Sequence, residues 1–264
     1  MMYGPKRIYW YLRAALKAPP IHLDDIRFYV ANFFLDRSAW KHASELRYWR
    51  RSWQAGAGFT NDHFGYFYKD HFGLSAEFFQ GKAILDIGCG PRGSLEWVPQ
   101  ARARIGLDPL ALEYKTLRGS GHQMAYTAAR SEQMPFHDHA FDVVASFNSI
   151  DHVDDLEGAL GEVARVIKPG GLFLLITDVN HPPTACEPFL ISLEIIERLS
   201  PGLVLDEQRY YAPVVPDNIY ASIMQDRRYD GAREPRRRGI VSAKFIKRVR
   251  SDVASLDRPP RPGA

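Results

Sequence analysis

Ala83-Ile84-Leu85-Asp86-Ile87-Gly88-Cys89-Gly90-Pro91-Arg92-Gly93-Ser94 is the stretch whose reading decides the fold. Its apolar residues form a short buried strand, an acid stands near the strand's end, and a glycine turn follows with a helix start expected behind it. The spacing Gly88-x-Gly90-x-x-Gly93 meets the dinucleotide pattern, in which glycines let the backbone approach a ligand and open onto a helix N-terminus. Asp86 narrows that reading. A pyrophosphate is held by N–H groups and the positive end of a helix dipole, and a carboxylate at the strand tip opposes it. A cationic ligand is favoured by the same carboxylate.

Strand and helix signals alternate outward from this point. Strands are expected at 83–87, 103–107, 123–127, 141–147 and 171–177, with helices at 94–100, 110–118, 155–167 and 187–199. Acids in Asp154-Asp155-Leu156-Glu157 open the third helix, and Lys168-Pro169-Gly170-Gly171 closes it. Such alternation predicts a parallel sheet with helices on both faces. Residues 203–211 and 219–225 read as two late strands joined by a link containing Pro213 and Pro216, hence as an antiparallel pair. Residues 1–80 are expected to form a helical, aromatic-rich extension or cap, beginning at Ile8-Tyr9-Trp10-Tyr11-Leu12, with its aromatics laid on the core in preference to a substrate lid or a membrane-lying face. Residues 81–229 form the main domain. Residues 230–264, with Arg236-Arg237-Arg238 and a proline-rich end, are expected to be largely disordered apart from a short basic helix near 241–254, and dispensable for folding.

The 264 residues suffice for one sizeable core with additions. Two cysteines, one of them inside the glycine turn, argue against a structural disulfide. No apolar run approaches the roughly 18 residues of a membrane span, the basic N-terminus is no secretory signal, and the chain reads as cytoplasmic. The net charge of +3 conceals an asymmetry. Residues 1–54 carry ten Lys and Arg against four acids, residues 55–226 twelve against twenty-three, and residues 227–264 twelve against four. An acidic middle weighs against a nucleic-acid groove over the core, while the basic ends suit an anionic membrane surface or a phosphorylated acceptor. No Cys/His spacing of the metal-binding type occurs, and the oligomeric state is not encoded in any motif.

Gly106-Leu107-Asp108 places a second acid at a strand tip, 20 residues beyond Gly88, where a carboxylate accepts ribose hydroxyls in nicotinamide and S-adenosylmethionine proteins alike. Ala129-Arg130-Ser131-Glu132-Gln133-Met134-Pro135-Phe136 follows the third strand. Phe141-Asp142-Val143-Val144-Ala145-Ser146-Phe147-Asn148-Ser149-Ile150-Asp151-His152-Val153 covers the fourth, and Arg165-Val166-Ile167-Lys168-Pro169-Gly170-Gly171 precedes the fifth. In this order, from about 82 to 178, these motifs resemble the class I SAM-dependent methyltransferases, in particular the methyltransferase type that includes the ubiquinone-pathway C-methyltransferases.

The resemblance implies a Rossmann-like sheet of seven strands, mainly parallel with an antiparallel last strand, and S-adenosyl-L-methionine as cofactor. It assigns cofactor contacts to Asp86, Gly88, Gly90, Gly93, Asp108, Pro109, Ser131, Glu132 and Asn148. Many relatives carry an acid where Arg130 stands, which leaves Ser131 and Glu132 as the adenine contacts. The Asn/Asp-Pro-Pro-aromatic motif of base-amine methyltransferases is missing after strand four, and Asn180-His181-Pro182-Pro183 follows the wrong strand. A small-molecule acceptor is therefore expected, most simply a hydroxyl of a sugar, glycolipid or secondary metabolite. A hydroxyl must lose its proton, and histidine is the usual base. His152 and His181 are the candidates, each weighed evenly against a histidine that only bonds backbone. The rivals are a quinone-type C-methyltransferase with an already acidic acceptor, a SAM-binding protein without turnover, an RNA methyltransferase resting on the basic tail alone, and an NAD oxidoreductase resting on the glycine spacing.

Overall fold

A computed structural model describes residues 28, 30, 36–54, 64–118, 121–184, 186–199, 202–216 and 218–249. The expectations for residues 1–27, for most of 28–35 and 55–63, and for the proline-rich end from 250 onward lie outside these residues. Seven strands form one sheet: β1 (Ala83–Ile87), β2 (Ala103–Leu107), β3 (Ala125–Thr127), β4 (Phe141–Phe147), β5 (Ile167–Val179), β6 (Leu203–Tyr211) and β7 (Gly239–Lys247). Their order is β3-β2-β1-β4-β5-β7-β6. The pairs through β5 are parallel, and β7 runs antiparallel to both β5 and β6. This is the mainly parallel sheet with a reversed last strand that the motifs implied.

The near-continuous apolar runs of β1 and β4 are buried on both faces, as central parallel strands must be. Alternate side chains feed two cores. Leu85, Val144, Phe173 and Leu175 pack on one face beneath helices α4 (Leu156–Val166) and α5 (Ile195–Leu199). Ile84, Val143, Ala145, Leu174 and Ile176 pack on the other against α2 (Phe64–Tyr68), the 3-10 turns at Asp70–Phe72 and Glu77–Phe79, and α6 (Ile219–Met224). The capping of α4 is as its acids predicted, with the Asp155 side chain accepting from the Gly158 N–H at 3.1 Å. Two further helices among the described residues, α1 (Arg37–Gln54) and the short α3 (Lys115–Arg118), pack against each other.

Several expected elements differ. Residues 219–225 are not a strand. Asn218 caps α6 by accepting from Ala221 N–H at 2.9 Å, and Ile219, Ser222 and Ile223 share its buried face at helical spacing. The last strand comes instead from the segment expected to be a disordered tail. In β7, Gly239 through Ala243 and Phe245 are buried, because the strand lies between β5 and β6 with a core on each face. Its lysines disguised it in the sequence. Lys244 Nζ reaches Asp206 at 3.0 Å and Glu207 at 3.4 Å, and Lys247 Nζ binds the carbonyls of Ala164 at 2.5 Å and Ile167 at 2.8 Å. The sheet therefore extends to Lys247, past the expected boundary at 229, and residues 239–247 are a strand where the basic helix near 241–254 was expected to begin.

The glycine turn also lacks its helix. Residues 91–102 run as turns and bends, with Pro91, Gly93 and Pro99 interrupting any helical register. The helices expected at 110–118 and 187–199 shrink to α3 and α5.

Candidate functional site

A cavity of about 990 Å³ opens at the carboxyl ends of the parallel strands, where open α/β sheets bind ligands. Asp86, Gly88 and Gly90 line it from β1, Asp108 and Pro109 from β2, Ser131 and Glu132 from the segment after β3, and Asn148 and His152 from the segment after β4. His181 joins from beyond β5. Among the residues expected to form the site, Gly93 alone does not line the cavity. A Cβ there would stand 2.8 Å from His122 Nε2, so Gly93 shapes the exit of the turn. Gly88 has a stricter reason to be glycine. Its φ is 68°, and a Cβ would come within 2.2 Å of the Ser149 Cβ. Ser149 cannot yield easily, because its hydroxyl donates to the Ile87 carbonyl at 2.7 Å and pairs with Ser146.

Asp86 is 4% exposed and accepts a hydrogen bond from the Ser94 hydroxyl, with the Tyr68 side chain beside it. Burial pushes its carboxyl up to about 7 against the pull of those hydroxyls, and the charge of Asp108 adds to the rise. Asp108 accepts from Gly90 N–H at 3.1 Å and Leu110 N–H at 2.9 Å. Burial, helped by Glu45, raises it to about 6. Two adjacent buried carboxyls lifted towards neutrality are poised for a ligand that brings positive charge and hydroxyl donors.

Glu132 is committed to structure. One of its oxygens accepts from the backbone of Asp154 at 2.7 Å and Asp155 at 3.2 Å, and the other from Ser131 at 3.2 Å. Arg130, the departure from the family pattern, joins the same network by pairing with Glu132 at 3.2 Å and Asp154 at 2.7 Å.

The opposite end is a cluster of acids and histidines. His152 Nδ1 lies 3.3 Å from Glu45 Oε1 of α1, and its Nε2 lies 3.8 Å from Glu187 and 4.0 Å from Asp151. His181 Nδ1 lies 3.7 Å from the other oxygen of Glu187. Glu187 is held between them by a closed loop, in which its N–H donates to the Thr184 hydroxyl at 3.0 Å and that hydroxyl donates back to Glu187 Oε2 at 2.9 Å. Burial disfavours charge on His152, but the Glu45 hydrogen bond and the Asp151 and Glu187 charges outweigh it and lift the imidazole to about 9. His152 is thus an imidazolium at neutral pH. Asp151 is 5% exposed with one oxygen unpartnered, and burial raises it. Asp178 is pushed up to about 6 by burial and by Asp151, with Arg238 and His181 opposing. Ligand atoms of Asp151, His152 and Glu187 all lie within 4.8 Å of one another.

Residues that sequence reasoning missed close the cavity from outside the motifs. Lys41 of α1 donates to the His152 carbonyl at 2.5 Å, and Trp49 packs over Gly90 and meets Tyr114 edge-on at 6.4 Å between centroids. Phe64 and Phe67 of α2 each lie 5.0 Å from the Tyr220 ring of α6, forming an aromatic wall. Arg92 and Arg238 also line the cavity. One signal pointed to Glu45: it is the single acid in the strongly basic helix α1. Tyr220 and Arg238 carried none, because the segments holding them were read as strand and tail.

Residues 85–175 match the family model described as a methyltransferase domain. The strand order and the acid-tipped glycine turn agree with that match. The chain is similar to a ubiquinone biosynthesis O-methyltransferase of Maricaulis maris, 34% identical over 165 residues that cover 59% of this chain and 63% of that protein. It is also similar to a sterol 24-C-methyltransferase of Aspergillus fumigatus, 35% identical over 102 residues, 36% of this chain and 27% of that one. The chain thus spans somewhat over three-fifths of the ubiquinone-pathway relative. Among solved structures, an S-adenosylmethionine-dependent methyltransferase from Mesorhizobium loti superposes with a TM-score of 0.50 at 17% identity, covering 66% of this chain and 98% of that chain. That likeness is one of fold.

Proposed function

We propose that the chain transfers a methyl group from S-adenosyl-L-methionine to a hydroxyl of a small, largely apolar or aromatic molecule. One observation carries the reading: a single cavity joins the two raised carboxyls of the cofactor end to a histidine–carboxylate cluster and an aromatic wall. The cofactor, when bound, supplies an electrophilic methyl group on a sulfonium. Asp86 then holds an ammonium and Asp108 the ribose hydroxyls, while Gly88 lets the backbone come close. Trp49 and Lys41 keep α1 over the strand tips and exclude water. The similarity to ubiquinone-pathway O-methyltransferases supports an oxygen acceptor on a ring, and the wall of Phe64, Phe67 and Tyr220 supports an aromatic or prenylated body over a sugar.

The two histidines divide the work. His152 is already protonated and holds Glu45, Asp151 and Glu187 in place. His181 takes the hydroxyl proton through its free nitrogen, and Glu187 beside Nδ1 stabilises the resulting charge. His181→Ala is expected to lower turnover by about 10²- to 10⁴-fold while leaving S-adenosylhomocysteine affinity within a few-fold. Unchanged turnover would refute the assignment.

A second reading rests on the closeness of the Asp151, His152 and Glu187 donors and on the unpartnered Asp151 oxygen. Asp151, His152 and Glu187 would hold a divalent cation there, with His152 deprotonated, and the cation would supply Lewis-acid chemistry for an acceptor oxygen. Dialysis against EDTA separates the readings: lost turnover restored by Mg²⁺ supports the cation, and indifference supports the histidine.

A further inference from the structure

We infer that Arg92 is a specificity residue for the cofactor's amino-acid half, binding its carboxylate while Asp86 binds its ammonium. The inference rests on the cofactor assignment and not on the choice of acceptor. Arg92 stands at the tip of the glycine turn, half-buried, and lines the same cavity as Asp86. Its guanidinium lies 5.4 Å over the Trp49 ring of α1. Tyr220, whose hydroxyl donates to the Phe147 carbonyl at the tip of β4 at 3.1 Å, lines the same cavity. The Trp49 ring thus carries a cation at the wall of the cavity that the tips of β1 and β4 also line.

That cation has no counter-charge among the described residues. The buried Arg92 Nε has no hydrogen-bond partner, and Arg92 forms no ion pair among the described residues. Other arginines here are paired: Arg130 with Asp154 at 2.7 Å, Arg165 with Asp138 at 2.9 Å, Arg228 with Asp226 at 2.6 Å and Arg237 with Glu234 at 2.9 Å. A guanidinium withdrawn from water without an acceptor is costly, and an anionic ligand removes that cost.

The site also needs such a cation. Once the ammonium lies against Asp86, its carboxylate is only a few bonds away, in a region already holding Asp86, Asp108 and Glu45. Negative charge there is repelled unless a cation meets it. A helix N-terminus is the usual backbone answer to an anion at a glycine turn, but residues 91–102 form no helix. The other basic side chains lining the cavity are placed elsewhere. Lys41 is bound to the His152 carbonyl and Asp154, Arg130 to Glu132 and Asp154, and Arg238 faces Asp178 at the acceptor end. Arg92 remains, and its planar fork suits a carboxylate.

Calorimetric titration of the full chain with S-adenosylhomocysteine and with its decarboxylated analogue, S-adenosyl-3-thiopropylamine, tests this without relying on activity. The wild type is expected to prefer S-adenosylhomocysteine by about 10- to 100-fold, as a charge-assisted hydrogen bond to a carboxylate warrants. Arg92→Gln should bind both ligands alike, at the wild-type affinity for the analogue, and Arg92→Lys should keep part of the preference. Equal binding of both ligands by the wild type overturns the inference whether or not the variants fold. So does a preference that survives in Arg92→Gln, which would place the carboxylate contact on another residue and leave Arg92 for an anionic acceptor. An equal loss of both ligands in Arg92→Gln makes the residue structural and overturns it too. Failure of the wild type to bind either ligand would overturn the cofactor assignment along with it.

Discussion

Asp86 is held in an environment that raises it to about 7, so in the absence of cofactor its protonated form persists towards neutrality. A bound ammonium favours the ionised form, and cofactor binding must then expel a proton. S-adenosylhomocysteine affinity is therefore expected to fall as pH drops from 8 to 5.5, and calorimetry near pH 6.5 in buffers of different ionisation enthalpy should register proton release. Asp86→Asn should abolish the release and weaken binding by about 10- to 100-fold. The same shift has a sign in stability. The folded-state value lies above that of an unfolded aspartate, so the unfolded chain loses its proton first and stability declines as pH rises from about 4 through 7. His152 acts in the same direction higher up: its contribution is full below about 6.5 and is lost as pH rises through about 9. The melting temperature of the cofactor-free protein should thus fall between pH 6 and 9, and S-adenosylhomocysteine should recover the Asp86 part. Asp86, Asp108 and Gly88 were legible in the sequence because their roles are local to a strand tip. The protonation of His152 was not, because its partners Glu45 and Glu187 lie far from it along the chain.

At the scale of elements, β7 carries the clearest test. Phe245 is fully buried between β5 and β6, and Phe245→Ala should cost about 3–5 kcal/mol. Deleting 231–264 removes Ile240, Val241 and Phe245 together. At about 1.5–3 kcal/mol for each large apolar side chain, this approaches the whole net stability of an ordinary domain, about 5–15 kcal/mol. The truncated chain should show no cooperative melting transition. The parallel half of the sheet was legible because β1, β4 and the core of β5 are apolar runs bounded by glycines and acids. The antiparallel end was not, because lysines that cap carbonyls and pair with acids from within β7 look like a solvated tail when read in one dimension. Helix α6 was misread for a related reason: six residues with Ile219 and Ile223 on one face fit a short strand as well as a helix turn and a half long.

Along the whole chain, an acidic middle lies between two basic ends. On α1, Arg50, Arg51 and Trp53 are exposed together, and Arg47 stacks on Phe28. This supports peripheral contact with an anionic surface, and flotation with phosphatidylglycerol vesicles should retain the protein at low salt and release it at high salt. The cofactor half of the site could be anticipated because it belongs to the sheet. The proposed acceptor half draws on α1, α2, α6, His181, Glu187 and Arg238, and the parts from α6 and Arg238 became visible only once those segments were placed together. The most direct test supplies S-adenosyl-L-methionine with an isotopically labelled methyl group to the wild type and to His181→Ala, together with a panel of phenolic and prenylated hydroxyl compounds, and locates the label by mass analysis. The account predicts label on an acceptor oxygen with the wild type and at least about 10²-fold less with the variant at equal cofactor affinity. Label on carbon, or equal transfer by both proteins, would contradict it.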